Sequence, residues 1–192
     1  MIAIIKYNAG NIRSVQNALD RLGYPSVITD DPDTIYKAEK VIFPGVGEAS
    51  SAMNYLTQRG LDKVLKNVTQ PMLGICLGLQ LMCQYSEEGN TSCLGIFKER
   101  VSLFPAEQKV PHMGWNELEA LSGDLYQQIE PNSDVYFVHS YYAQIGQETT
   151  AICNYIRPFS ASLQKNNFYA TQFHPEKSAG IGAQILKNFL EL

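Results

Sequence analysis

The chain has 192 residues, 45% hydrophobic and 18% charged, the proportions of an ordinary globule with enough apolar material for a core. A formal net charge of -4 argues against nucleic acid as a partner, and no apolar run approaches the ~20 residues of a membrane helix. The N-terminus, Met1-Ile-Ala-Ile-Ile-Lys6, is too short for a signal peptide, so the expectation is a cytoplasmic protein with one domain over residues 1–192.

Ile2 to Ile5 is a short continuous apolar run, the pattern of a strand covered on both faces. Asn8 to Asn11 breaks it, and Ile12, Val15, Leu19 and Leu22 follow at helical spacing, with Gly23 where a helix stop belongs. Val27-Ile28 and Val41-Ile-Phe43 predict two more buried strands, the second ended by Pro44-Gly-Val-Gly47. A helix is predicted from about Ala49 to Val68, a buried strand over Pro71–Cys76, and a helix over Leu77–Tyr85. Strand alternating with helix at this pace predicts an α/β fold: a mostly parallel central sheet with helices on both faces.

From Gly95 to about Thr171 the texture is β-rich, with strands predicted around Val101–Phe104, Trp115–Leu118, Val135–Val138, Ala161–Leu163 and Phe168–Phe173. Ile181, Ile185 and Phe189 mark a last amphipathic helix. No linker, low-complexity tract or internal repeat divides the chain.

Gly74-Ile-Cys-Leu-Gly78, between a buried strand and a helix, is the cysteine counterpart of the Gly-x-Ser-x-Gly nucleophile elbow. Such a turn lifts the side chain above the sheet, its glycines relieve crowding, and the helix N-terminus favours a thiolate. The amide of Leu77 then faces a developing oxyanion. The bland alternative is a buried cysteine between two packing glycines. For Cys83, Cys93 and Cys153 that alternative stands, since no Cys-x-x-Cys pair or zinc spacing occurs and a cytoplasmic chain keeps its thiols reduced.

Thr171-Gln-Phe-His-Pro-Glu-Lys-Ser178 follows a strand-like run. His174 and Glu176 are two residues apart, with Pro175 fixing the turn between them. His174 is suited to take the thiol proton and return it to a leaving amine, with Glu176 holding the imidazole tautomer. Alone, the histidine reads as a cap or surface residue. A thiol and a His-x-Glu at strand ends on one sheet edge is where α/β active sites fall. His112 and His139 have no second ligand at metal spacing, so no metal and no cofactor is expected.

Gly74-Ile-Cys-Leu-Gly-Leu-Gln80 with Gln172-Phe-His-Pro-Glu176 resembles the class I, or triad, glutamine amidotransferases. Tyr7-Asn-Ala-Gly-Asn-Ile-Arg-Ser-Val15, Pro44-Gly-Val-Gly47, Pro111-His-Met-Gly-Trp-Asn116, Tyr136-Phe-Val-His-Ser-Tyr141 and His174-Pro-Glu-Lys-Ser178 are similar, within that class, to the HisH-type glutaminases of imidazole glycerol phosphate synthase. The match is collinear over essentially the whole chain. The resemblance implies Cys76 as nucleophile, His174 as general base, Glu176 as its orienter, and the backbone of Val46 and Leu77 as oxyanion hole. It implies Gly47, Gln80, Ser140 and Tyr141 around the substrate L-glutamine. It also implies a partner, a (β/α)8 cyclase of HisF type, met by Asn11, His112, Met113, Trp115, Asn116 and Lys177 in a heterodimer. Free ammonia protonates in water at neutral pH, so its transfer to that partner must be enclosed.

For Trp115 core packing competes with partner positioning, for Lys177 a solvated surface with an interface ion pair, and for Asn8 and Asn11 simple turn chemistry with function. The sequence departs from the family after Gly47, reading Glu48-Ala-Ser-Ser-Ala-Met53 where a small residue and then an aromatic are usual; Ser50 or Ser51 is expected to cap the helix there, with Glu48 in its first turn. Three other readings compete: ammonia supply for surface-sugar amidation, a stand-alone cysteine hydrolase, and a non-catalytic module on the same fold. Gln80 and the Pro-Gly-Val-Gly turn oppose the second, and the presence of all three triad residues opposes the third.

Overall fold

The structure, a computed structural model, describes residues 1–8 and 10–192; Ala9, in the turn expected between Asn8 and Asn11, lies outside them. Strands β1 (Ile2–Ile5), β2 (Ser26–Thr29), β3 (Lys40–Gly45) and β4 (Met72–Cys76) are joined in turn by α1 (Ile12–Arg21), α2 (Pro32–Lys37) and the pair α3 (Ala49–Gln58) and α4 (Leu61–Lys66). Helix α5 (Leu77–Met82) follows β4 without a loop. The β-rich part supplies β5 (Tyr85–Ser86), β6 (Thr91–Ser92), β7 (Arg100–Leu103), β8 (His112–Leu118), β9 (Ser133–His139), β10 (Tyr141–Ala143), β11 (Thr149–Asn154), β12 (Pro158–Lys165) and β13 (Phe168–Thr171), and α6 (Ala179–Leu190) closes the chain.

The main sheet runs β11-β12-β13-β4-β3-β1-β2, parallel from β13 to β2, with β12 and β11 added antiparallel at one edge. The continuous apolar runs feed both of its faces, as a doubly covered sheet requires. Ile2, Ile4, Ile42, Leu73 and Ile75 enter one core with α1 and α6, while Ile5, Val41, Phe43 and Met72 enter the other with α3, α4 and α5. A four-stranded sheet, β10-β7-β5-β6, and the two-stranded ribbon β8-β9 complete the fold.

Several element boundaries differ from those predicted. Helix α2 escapes periodicity analysis because six residues bury only Ile35, although Asp31 accepts from the Thr34 amide at 2.8 Å and Pro32 opens it. The helix expected from Ala49 to Val68 is two helices, broken where Gly60 turns left-handed at φ 68°. Its start is capped by Glu48, whose carboxylate accepts from the amides of Ser50 and Ser51, and not by either serine. Helix α5 ends at Met82 because Cys83 is extended, and β13 ends at Thr171, ahead of the expected Phe173.

Parallel pairing decides where the functional residues meet. Gly45 on β3 lies beside Cys76 on β4, and Thr171 on β13 lies beside Ile75. The three segments Gly45-Val-Gly47, Cys76-Leu77 and Gln172-Phe-His174 therefore leave the sheet side by side at its carboxyl edge.

Candidate active site

Cys76 ends β4 at φ 55° and ψ -106°, a left-handed backbone that a β-substituted residue rarely adopts, and α5 starts at the next residue. The flanking glycines make that turn possible. A Cβ on Gly78 would lie 1.9 Å from the Phe43 carbonyl oxygen, and one on Gly74 would meet the Met82 sulfur at 2.5 Å and the Gly78 backbone at 3.0 Å. The elbow is thus pressed against β3 on one side and its own helix on the other. Only 6% of Cys76 is exposed, and its Sγ lies 3.9 Å from the Val138 carbonyl.

His174 is fully buried, and its Nδ1 sits 2.8 Å from Glu176 Oε1. Pro175 opens a single 3-10 turn, Pro175–Lys177, which folds the carboxylate back under the ring. Ser178 locks the turn, donating to the His174 carbonyl at 2.7 Å and accepting from the Tyr136 amide at 3.0 Å. Nε2 is buried and has no hydrogen-bond partner among the described residues. Cys76 ends the strand paired with β13, at the same sheet edge. Burial works against a charge on His174, but the negative charge and hydrogen bonding of Cys76, and then Glu176, outweigh it and hold the imidazole up at about 10. The three residues the sequence picks out are in one cluster, ordered Cys76, His174, Glu176.

A cavity of about 320 Å³ opens over Cys76. Val46, Gly47, Leu77, Gln80, Ser140 and Tyr141, all predicted around oxyanion and substrate, line it. Leu77 is the first residue of α5, so its amide has no acceptor within the helix. The Val46 carbonyl accepts from the Gly10 amide at 3.3 Å, and Gly47, at φ 136°, holds the loop in a shape open chiefly to glycine. Gln80 donates from Nε2 to the Tyr141 carbonyl at 2.9 Å and to Gln172 Oε1 at 3.0 Å, so Oε1 is the part of its amide left for a ligand. Glu88, Pro111, Val138 and His139 also line it, none of them predicted around oxyanion or substrate. Glu88 comes from a two-strand excursion with no motif. Buried Gln172, inside the His174 motif, donates toward Cys76 Sγ at 3.7 Å.

The residues expected at a partner face divide. Met113 and Trp115 are 59% and 54% exposed, and Lys177 is exposed with Nζ 6.0 Å from the centre of the Tyr136 ring, itself edge-on to Trp115. Core packing is therefore not the role of Trp115. His112 corrects the expectation of a contact residue: alternation along β8 turns it inward, stacked between Phe137 and Tyr155, and it reaches that face only from beneath. It lies 3.0 Å from His139, a pairing that 27 residues of separation hide from spacing arguments. Burial lowers both, His112 to about 4 and His139 to about 3. Asn116 bonds His112 Nε2 at 3.2 Å, and half-buried Asn11 donates to Glu176 Oε1, which ties it to the cluster itself.

Comparison with known proteins agrees with this geometry. The family description "Glutamine amidotransferase class-I" matches residues 3–192. A Bacteroides fragilis protein named imidazole glycerol phosphate synthase subunit HisH is 58% identical, over 100% of this chain and 99% of its own. A Vibrio cholerae protein of the same name is 44% identical over 100% and 98%. Among solved structures, a putative GMP synthase subunit from Thermoplasma acidophilum superposes with a TM-score of 0.78 at 18% identity, covering 100% of this chain and 92% of that one. PurLQS from Thermotoga maritima gives 0.73 at 16%, covering 99% and 97%. At those identities the two structures speak for the fold alone. With the family pattern running from residue 3 to 192 and relatives matched along their whole length, the chain belongs to the class-I glutamine amidotransferases.

Proposed function

We propose that residues 1–192 form one amidotransferase domain, in which Cys76, His174 and Glu176 hydrolyse glutamine and pass the ammonia to a partner synthase subunit. The chain is a glutaminase subunit of imidazole glycerol phosphate synthase, in histidine biosynthesis, a reading supported by relatives named as HisH subunits of that synthase. Surface-sugar amidation is not favoured by any of these relatives. The observation carrying the triad reading is geometric: Cys76 and buried His174 leave neighbouring strands at one sheet edge, and Glu176 holds the imidazole Nδ1 at 2.8 Å. The Cys76 thiolate attacks the glutamine amide carbon, and the oxyanion is received by the Leu77 amide and the Val46 loop. Collapse to a thioester expels ammonia, with the proton supplied by His174; water activated by the same imidazole then releases glutamate. Gly47, Ser140, Tyr141 and the free Oε1 of Gln80 surround the amino-acid end of the substrate, and Glu88 adds a carboxylate suited to its ammonium group.

The partner in this reading is a (β/α)8 cyclase of HisF type, seated on the face carrying Met113, Trp115 and Lys177, beside Asn11 and Asn116. An exposed tryptophan and methionine side by side are residues that binding surfaces concentrate. The site of action is the cytoplasm; no helix among the described residues is long and apolar enough to cross a membrane. Replacing Cys76 with Ala tests the chemistry. With the cyclase present, glutamine-dependent turnover should disappear and turnover on added ammonium salts should persist; survival of glutamine use would remove Cys76 as nucleophile.

A further inference from the structure

The geometry points to Gln172 as a positioning residue, whose side-chain N–H holds the Cys76 sulfur in a sense fixed by a buried relay of hydrogen bonds. The inference rests on Cys76 being the nucleophile. The heavy atoms alone determine which way each amide and imidazole points. The Tyr141 carbonyl can only accept, and two groups meet it: His139 Nδ1 at 2.8 Å and the Gln80 side chain at 2.9 Å. Gln80 must therefore present its nitrogen, because its oxygen would oppose another oxygen. The second hydrogen of that nitrogen goes to Gln172 at 3.0 Å, so Gln172 must turn its oxygen toward Gln80. Its nitrogen is then left facing Cys76 Sγ at 3.7 Å, and Gln172 is fully buried with no freedom to reverse.

The other branch is ordered in the same way. His139 carries its proton on Nδ1, so its Nε2 accepts from His112 Nδ1 at 3.0 Å, and His112 Nε2 in turn accepts from Asn116 at 3.2 Å. Asn116 has no choice of sense, since its oxygen accepts from the Glu117 amide and its nitrogen donates to the Asn154 carbonyl. A proton added to His139 would set two N–H groups face to face, which agrees with both rings being held neutral by burial. The two branches converge on the Tyr141 carbonyl, which accepts from both, so hydrogen bonds link Asn116, next to exposed Trp115, with the sulfur while the donor direction reverses at that carbonyl. Donation to sulfur favours the thiolate over the thiol.

The test follows alkylation of Cys76 by iodoacetamide across pH in the full chain, read by mass spectrometry of the Cys76 peptide. Gln172→Leu should raise the midpoint by about one pH unit, slowing alkylation below it about tenfold. Gln172→Glu, with a carboxylate against the sulfur, should raise it further. In both, kcat for glutamine should fall while KM holds. An unmoved midpoint in either folded variant overturns the inference. In the unaltered chain, the Gln172 side-chain amide signal in nitrogen-15 NMR should titrate with the same midpoint, and a signal indifferent to it is equally contrary. If Cys76 is not alkylated ahead of Cys83, Cys93 and Cys153, the nucleophile assignment fails instead, and this inference with it.

Discussion

Cys76 sits at φ 55°, a backbone conformation that costs on the order of 1–3 kcal/mol and persists because β3, α5 and the two elbow glycines leave no alternative. Strain at that residue, a buried imidazole at the same sheet edge and a carboxylate behind the imidazole make up the proposed triad. Glu176 holds His174 by one hydrogen bond at 2.8 Å, and its Oε1 is shared with Asn11. Glu176→Gln keeps the shape and removes the charge that favours the imidazolium. Glutamine turnover should fall by about 10²–10⁴ with KM little changed, measured by steady-state glutamate release. A loss under tenfold would show that His174 is oriented by its turn alone. The clustering of Cys76, His174 and Glu176 was legible in sequence because Gly-x-Cys-x-Gly and His-Pro-Glu are local patterns with local reasons. Gln172 was not, since its role depends on Gln80 and Tyr141 arriving from elsewhere in the chain. The bond from Asn11 to Glu176 was not legible either, because nothing within its loop reports a residue 165 positions away.

At the level of elements, the elbow depends on how closely α5 approaches β3. Gly78→Ala puts a methyl 1.9 Å from the Phe43 carbonyl oxygen, a backbone atom that cannot step aside. It should cost about 3 kcal/mol in urea unfolding. Gly180→Ala in α6 meets nothing within 4 Å and should gain up to about 1 kcal/mol from helix propensity. Equal effects at the two sites would refute the close-approach account. The ribbon β8-β9 holds the His112–His139 pair, both lowered in the fold by burial. Below about pH 6.5 the unfolded chain takes up protons that the folded pair refuses, so stability falls as pH drops from there toward 4. The limiting slope is about 2.7 kcal/mol per pH unit for the two together, and His139→Asn should flatten the acid limb. An acid limb unaltered by that substitution would show the pair is not what titrates. These pairings explain why the alternating half of the fold could be read from sequence, whereas α2 and the break at Gly60 could not. Six residues burying a single isoleucine leave no period, and one glycine inside an apolar helix pattern reads equally as helix or as stop.

Over the whole molecule, the cluster lies at the carboxyl edge of the sheet, and the β8-β9 ribbon beside it turns Met113 and Trp115 outward. The relay from Asn116 to Cys76 joins that ribbon to the nucleophile through side chains already committed to one orientation. The most direct measurement of the account is glutamate release from glutamine by the purified chain, alone and with a HisF-type cyclase holding its nucleotide substrate. The account predicts glutamine hydrolysis that depends on Cys76 and rises strongly when the loaded cyclase is added. Hydrolysis indifferent to the cyclase would keep the triad and remove the histidine-pathway assignment; no glutamate under either condition would contradict the glutaminase reading itself.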